Sequence, residues 1–158
     1  SAGCTKISSG CKNCYAEKMA IRLQAIGMEG YENGFKFNTV PSRLYDPLKR
    51  KKATVYFVNS MSDIFHEDMP EEYLNEIFNV IEQTPHHTYQ ILTKRADRMF
   101  QYLSVRAIPK NIWLGVTVEN RKEGLPRIDK LRTLQASVLF LSVEPLLEDL
   151  GKMNLKNI

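Results

Sequence analysis

The sequence predicts an α/β protein with a parallel sheet and flanking helices. Four short apolar runs rich in Val, Ile, Phe, Tyr and Leu alternate with segments whose apolar residues recur at helical spacing. The runs begin roughly 24 to 34 residues apart, which is the rhythm of βα units. Their few charges suit strands that are buried on both faces of a sheet.

The first half of the chain contains two predicted helices and one predicted strand. Residues 15–26 have apolar residues at helical spacing, and the pattern stops at Gly27. Residues 27–40 have the weakest pattern, so we expect a surface excursion there. The strand at 54–59 (TVYFVN) is followed by a helix at 70–83, which begins with Pro70 and two glutamates and stops before Pro85.

The second half continues the same alternation. A strand is predicted at 88–92 (TYQIL), a helix at 96–103 and a strand at 112–118 (IWLGVTV). The helix predicted at 121–134 is less regular because it contains Gly124 and Pro126. The last strand is predicted at 138–143 (VLFLSV).

Length and composition predict a single globular domain over residues 1–158. The chain has 43% hydrophobic and 25% charged residues, and no apolar stretch reaches the roughly 18 residues that a membrane span needs. The formal net charge of +4 permits a polyanionic partner without demanding one. The dense basic run at 49–52 is explained by a solvated loop before a strand or, alternatively, by nucleic-acid contact.

Polar side chains follow each of the four predicted strands. Because the carboxyl ends of parallel strands meet at one edge, where α/β proteins bind ligands, these residues predict one shared site. The alternative is that strand ends are polar simply because loops are polar. The candidates, in chain order, are Asn59, Ser60, Ser62, Asp63, Lys94, Thr117, Glu119 and Glu144.

The three cysteines all lie within the first 14 residues. An odd number is unsuited to a disulfide framework, and their clustering indicates a reducing, cytoplasmic compartment and a shared ligand. The spacing Cys4-x6-Cys11-x2-Cys14 predicts one metal-ligand set. A helix that begins directly after Cys14 would place its positive end next to the anionic site.

An iron–sulfur cluster is the occupant that this spacing favours. Three thiolates would bind three irons of a 4Fe-4S cluster and leave the fourth iron open to a substrate or cofactor. One alternative is zinc, with His66 or a carboxylate as the fourth ligand. The other is a set of unliganded thiols, which could serve as redox sensors.

Five blocks resemble a phage-encoded and bacterial family of three-Cys-motif, radical-SAM-like proteins without a settled activity. They are GCTKISSGCKNCYAE, VNSMSDIFHEDMP, QILTKRADRM, LGVTVEN and LSVEPLLEDL, and they span essentially the whole chain. The resemblance implies a partial (β/α) barrel. Members of that family are longer, so we expect the chain to be a fragment of a somewhat longer partial-barrel protein.

The resemblance also implies how the site would work. Cys4, Cys11 and Cys14 would hold the 4Fe-4S cluster, and the open iron would chelate S-adenosylmethionine. Residues 59–63 would lie near the methionine amino group, and Thr117 and Glu119 near the ribose. Lys94 would neutralise a carboxylate or phosphate, and Glu144 would act on substrate or cofactor.

Two classes of function follow from these observations. The first is a radical-SAM-like enzyme whose substrate is unknown, with a nucleic acid or nucleotide among the candidates. The second is a non-catalytic metal-binding module, holding zinc or a cluster, that recognises nucleic acid or a partner protein. Neither involves a membrane.

Overall fold

A computed structural model describes residues 1–158. Helices and strands alternate from β1 onward, and two single turns of 3-10 helix occur at Ser9–Cys11 and Pro41–Arg43. No helix is both long enough and apolar enough to cross a membrane. The elements in chain order are α1 (Tyr15–Ala25), α2 (Asp46–Lys49), β1 (Val55–Val58), α3 (Glu71–Gln83), β2 (Thr88–Thr93), α4 (Ala96–Leu103), β3 (Ile112–Thr117), α5 (Leu125–Leu131) and β4 (Val138–Ser142).

The four strands form one parallel sheet in the order β1-β2-β3-β4. Each strand therefore pairs with the next one along the chain, through an intervening helix, as βα units require. The sheet does not close on itself. This confirms the predicted α/β class with a parallel sheet and flanking helices, in an open arrangement consistent with a partial barrel.

The main core lies between one face of the sheet and helices α3, α4 and α5. Side chains from all three helices pack there against alternate residues of the strands. Burying each large aliphatic side chain of this kind contributes about 1.5–3 kcal/mol. The buried residues include Leu74, Phe78, Ile81, Met99, Leu103, Ile128 and Leu131 from the helices and Ile91, Leu114 and Val116 from the strands.

The opposite face of the sheet is open. Val55 is 59% exposed, Phe57 48% and Trp113 37%, so the expectation of strands buried on both faces was wrong for this side. Four strands curve too little to enclose their own concave face, which a complete barrel would fill with side chains. Part of that face is covered by the Phe140 ring, which lies directly over Gly115.

Most predicted element bounds are confirmed within one or two residues. The exception is the last helix, which was predicted at 121–134 and extends only over Leu125–Leu131. Gly124 precedes it in close contact with the Asn120 carbonyl, and Pro126 occupies the first turn, where a missing N–H costs nothing. The short helix α2 was not predicted.

A second, smaller core anchors the start of the chain. Ala2 and Ala20 pack there against Tyr31 and Val40, so the segment 27–40 is not simply a surface excursion, as we had expected. Ala2 also pairs with Asn38 in an antiparallel bridge. The weak apolar pattern of 27–40 hid this role, because only two of its side chains are deeply buried.

Candidate functional site

The three cysteines lie on one loop, residues 4–14, which we call the cysteine loop. Cys4 opens it, Cys11 ends the 3-10 turn Ser9–Cys11, and Cys14 caps the N-terminus of α1. All three thiols are free and partly buried. The positive end of an 11-residue helix therefore lies beside the last thiol.

The cysteine loop crosses the carboxyl ends of three neighbouring strands. Gly3, just before the loop, pairs with Ser62 beyond β1. Thr5 contacts Arg95 beyond β2, and Ser8 contacts Glu119 beyond β3. The structure therefore brings the cysteines to the edge of the sheet where parallel α/β proteins bind ligands.

Arg95 ties the first part of the loop to β2. Its Nη2 donates to the Thr5 hydroxyl at 2.8 Å and to the Thr5 carbonyl at 3.2 Å, and its Nε donates to Glu67 at 2.8 Å. Its Nη1 donates to Asp63 and to the Cys4 sulfur, each at 3.4 Å. The Arg95 side chain is 8% exposed, so its contact with the buried Asp63 is shielded from water and stronger than a surface ion pair would be, whereas Glu67 is partly exposed.

Asp63 is the buried centre of this network. Its carboxylate accepts hydrogen bonds from the Thr93 hydroxyl at 2.8 Å and from the backbone N–H groups of Phe65 and Lys94. With Arg95 as counter-ion, every part of the carboxylate is engaged. Asp63 therefore holds the strand ends together and does not face an open space.

His66 is fully buried and fully bonded. Its ring stacks on Phe37 with centroids 4.2 Å apart, and its Nδ1 accepts from the backbone N–H of Asp68 at 3.1 Å. Nε2 therefore carries the proton and donates to the Thr5 hydroxyl at 3.0 Å. Burial, together with the Arg95 charge, lowers the pKa of His66, so the ring is neutral near pH 7. Neither nitrogen is free to ligate zinc.

Glu119 ties the middle of the loop to β3. It is completely buried, and its two oxygens are taken by the Ser8 hydroxyl and by Arg127 Nη1, the latter at 2.6 Å. Burial acts against the charge, but the hydrogen bonds from Arg127 and Ser8 outweigh it and lower the Glu119 pKa. A Cβ on Gly10 would lie 3.0 Å from the Glu119 side chain, so the loop backbone rests directly on this carboxylate.

A second carboxylate, Glu123, fastens the same part of the loop from outside. It accepts from the Ser9 backbone N–H at 3.0 Å, from the Ser9 hydroxyl at 2.6 Å and from Asn120 at 2.9 Å. These hydrogen bonds, the Ser9 hydroxyl first, lower the pKa of Glu123 to about 2. The 3-10 turn that contains Cys11 is thus held at its N-terminal end, at Ser8 by Glu119 and at Ser9 by Glu123.

The thiols differ in their electrostatic surroundings. Burial raises the pKa of Cys4, although the Arg95 charge and hydrogen bond act in the opposite direction. Burial also opposes ionisation of Cys11. Its pKa is nevertheless lowered, because the sulfur accepts hydrogen bonds from the backbone at Ile7 and Ser8 and from the Ser8 hydroxyl, and because the Lys94 charge is near. The Ser8 hydroxyl lies 3.6 Å from the Cys11 sulfur.

Lys94 lies below the loop on the open face of the sheet. Its ammonium group is half-buried, forms no ion pair and donates only to the Thr117 hydroxyl at 3.4 Å. By contrast, Lys6 on the loop is paired with Glu17 at 2.7 Å. Lys94 is therefore a cation beside the Cys11 thiol that is free to meet an anionic group.

The remaining predicted residues divide into two groups. Asn59 and Ser62 bond to each other and to Ser1, so they hold the segment before Cys4, and the Ser60 carbonyl accepts from Tyr15. Glu144, beyond β4, is exposed and makes no hydrogen bond or ion pair. The structure therefore brings Glu144 into no contact with the cysteine loop.

No three His, Cys, Asp or Glu side chains converge closely enough to hold one metal ion. A cubane distributes its thiolates over different irons, so its ligands need not meet at one point. Cys4, Cys11 and Cys14 are the soft donors that such a group would use, with Arg95 and Lys94 as the nearby positive charges.

Several residues that build the site were not predicted from the sequence. Arg95 directly follows Lys94, and its position after a buried strand was a signal that could have identified it. Arg127 lies inside a helix and carried no signal, because nothing in the sequence indicates which strand end it reaches. The loop hydroxyls of Thr5 and Ser8 were likewise indistinguishable from solvated ones.

Comparison with known proteins gives one match. A family model described as a protein of unknown function (DUF5131) matches residues 1–158. Neither the curated proteins nor the solved structures contain a match to the chain.

Proposed function

Because the chain belongs to the DUF5131 family, whose description assigns no activity, we propose its function from the geometry of the cysteine loop. The proposal is an iron–sulfur protein of radical-SAM-like type, with a 4Fe-4S cluster on Cys4, Cys11 and Cys14. The fourth iron is open to S-adenosylmethionine, and the substrate is left open.

One observation carries this proposal. Three free, partly buried thiols lie on a single loop that buried ion pairs fasten across the carboxyl ends of parallel strands. Because hydrogen bonds to the strand ends already hold the loop, its three thiols do not need the metal to order them. The strand ends are also the edge of the sheet where parallel α/β proteins bind their ligands.

The residues around the loop support distinct roles. A reducible cluster with an open iron supplies one electron to a ligand chelated there. Lys94, which has no ion-pair partner, binds the anionic group of that ligand, and the Thr117 hydroxyl orients the ammonium group. Asp63 and Glu119 hold the loop through their own partners, and the exposed Glu144 is left to act on a substrate.

Anaerobic reconstitution tests the cluster. We expect the chain, loaded with iron and sulfide, to develop the broad visible absorption of thiolate-to-iron charge transfer and to hold both elements in equal amounts. Cys11→Ala should abolish this binding because one thiolate of three is lost. The matched control is Ser104→Ala, an exposed residue at the opposite end of α4, which should bind as the original chain does.

Three other results would each change the proposal. Zinc without iron after anaerobic handling would favour the non-catalytic metal-binding module. A cluster that forms without binding S-adenosylmethionine, or without releasing 5′-deoxyadenosine on reduction, would retain the iron–sulfur protein and remove the radical chemistry. Thiols that bind neither metal would overturn both readings.

A further inference from the structure

The guanidinium of Arg95 is the one charged group that bonds directly to a cysteine of the loop. We infer that Arg95 is a positioning residue for Cys4, which fixes this thiol at the sheet edge and makes the bound cluster easier to reduce. The second part of the inference rests on the proposed function. The first part concerns the metal-free chain and stands without it.

The geometry leaves Arg95 no alternative orientation. Its three nitrogens are distributed over Glu67, Asp63 and Thr5, and the nitrogen shared with Asp63 is the one that reaches the Cys4 sulfur. Asp63 is itself fixed by Thr93. A rotation of the guanidinium that released the sulfur would also leave the buried Asp63 carboxylate without its counter-ion, which is strongly destabilising.

The backbone around Cys4 is equally constrained. Arg95 holds the carbonyl of Thr5, the next residue, and the Cys4 N–H donates to the Phe35 carbonyl at 3.0 Å. Cys4 is thus held at its side chain, at its own N–H and through the carbonyl of the next residue. Without Arg95, the contact with Phe35, the bridge at Gly3 and the hydrogen bonds of the Thr5 hydroxyl with His66 and Glu67 would remain, but no charged group would bond to the Cys4 sulfur.

The three thiols differ in the side chains that can donate a hydrogen bond to the sulfur. Cys11 has a neutral hydroxyl beside it, from Ser8, and no side chain donates to Cys14. Hydrogen bonds to ligand sulfurs and local net charge set the potential of a cluster, because reduction adds one negative charge. A charge-assisted N–H donor at Cys4 stabilises that extra charge, and its removal should shift the potential to more negative values.

Arg95→Lys is the variant that separates these effects. It retains a positive charge for Asp63 and Glu67, so the buried Asp63 carboxylate stays compensated. A lysine ammonium group lacks the planar fork that reaches Thr5 and the Cys4 sulfur together. The matched control is Arg98→Lys on the next turn of α4, where the guanidinium bonds to the Met69 carbonyl and not to the cysteine loop.

The first measurement uses the metal-free chain. Amide hydrogen exchange should show faster exchange of residues 4–8 in Arg95→Lys, with the sheet unchanged, and no such change in Arg98→Lys. Unchanged exchange over residues 4–8 in Arg95→Lys would overturn the positioning role. Because no metal is present, this result does not depend on whether the proposed function is correct.

The second measurement uses anaerobically reconstituted protein and dithionite, whose S–S bond breaks to give a sulfur dioxide radical anion that supplies one electron per cluster and is itself oxidised to sulfite. We expect a more negative reduction potential, or loss of iron with the fold intact, in Arg95→Lys, and wild-type values in Arg98→Lys. Equal iron content and equal potential in Arg95→Lys would overturn the electrostatic role. If the wild-type chain forms no cluster, the proposed function fails, and with it the electrostatic role, whereas the exchange result still decides the positioning role.

Discussion

Glu119 lies at the sheet edge where the sequence predicts it, but its contacts differ from those of a ligand-binding residue. It follows β3 at the predicted edge, but its carboxylate is buried against Arg127 and the loop, with no face open to solvent. A buried pair of this kind contributes little net stability as a whole. Removal of one partner is costly, because it leaves the other charge buried and uncompensated.

We therefore predict that Glu119→Gln destabilises the metal-free chain by about 3 kcal/mol. The loss should be visible as a lower midpoint in urea unfolding, with an unchanged denaturant slope. Glu144→Gln is the control, because its exposed carboxylate has no partner, and it should change stability by less than about 0.5 kcal/mol. Equal stability of the two variants would show that Glu119 does not hold the loop.

Residue types and spacing predict one ligand set at the three cysteines, because three thiols within 14 residues have few structural explanations. They could not predict the partners of Arg95 or Arg127, because the partner of an arginine depends on which loops the fold brings to it. Lys94 and Arg95 illustrate this. The two are adjacent in sequence, yet one faces the open sheet and the other is enclosed by carboxylates.

At the scale of elements, the start of the chain depends on a close backbone approach. Gly3 has φ +72°, and a Cβ at this position would lie 2.2 Å from the Lys36 carbonyl oxygen. The residue pairs with Ser62 while its neighbour Ala2 pairs with Asn38. Because the bridges at Ala2 and Gly3 fix the backbone on both sides, the peptide cannot move away from the Lys36 carbonyl, and only glycine fits.

We predict that Gly3→Ala costs about 2 kcal/mol or more, from backbone strain and the clash together. Gly27→Ala is the matched control, because Gly27 also has positive φ (+68°) but no atom within 4 Å of the added Cβ. It should cost about 1 kcal/mol, from strain alone. Thermal or urea unfolding of the two variants measures the difference, and equal losses would contradict the close approach.

The periodic elements were predictable because their side chains alternate between core and solvent in regular patterns. The strands of the sheet and helix α3 owe their bounds to such patterns. The segment 27–40 was misjudged because its contacts are backbone hydrogen bonds to residues 2 and 4, which leave no apolar period in the sequence. The open face of the sheet was misjudged because an apolar run looks the same whether or not a layer covers it.

At the scale of the whole molecule, the cysteine loop connects elements that are far apart in sequence. Residues 5–9 contact the segments after β1, β2 and β3, and each contact includes a polar or charged side chain. Loss of the loop would therefore remove hydrogen bonds from three strand ends at once. The charge state of the carboxylates that hold it links the stability of the loop to pH.

The pKa of Glu123 determines in which direction the stability of the loop changes with pH. Its pKa is about 2 in the folded chain, below its ordinary value of 4.5, because Ser9 and Asn120 donate to the ionised form. A carboxyl group whose folded pKa is lowered stabilises the protein above the unfolded pKa. That stabilisation disappears as pH falls from about 4.5 to about 2.

We therefore predict that Glu123→Gln lowers the thermal midpoint near neutral pH but not at a pH of about 2 or below, where the wild-type carboxylate is itself protonated. Glu72→Gln, on an exposed carboxylate of α3 without a hydrogen bond, is the control and should leave the pH profile unchanged. Thermal unfolding followed by circular dichroism across this range measures both. A constant difference between Glu123→Gln and the wild-type chain at every pH would mean that the side chain acts through packing, and that the ionised carboxylate does not fasten the loop.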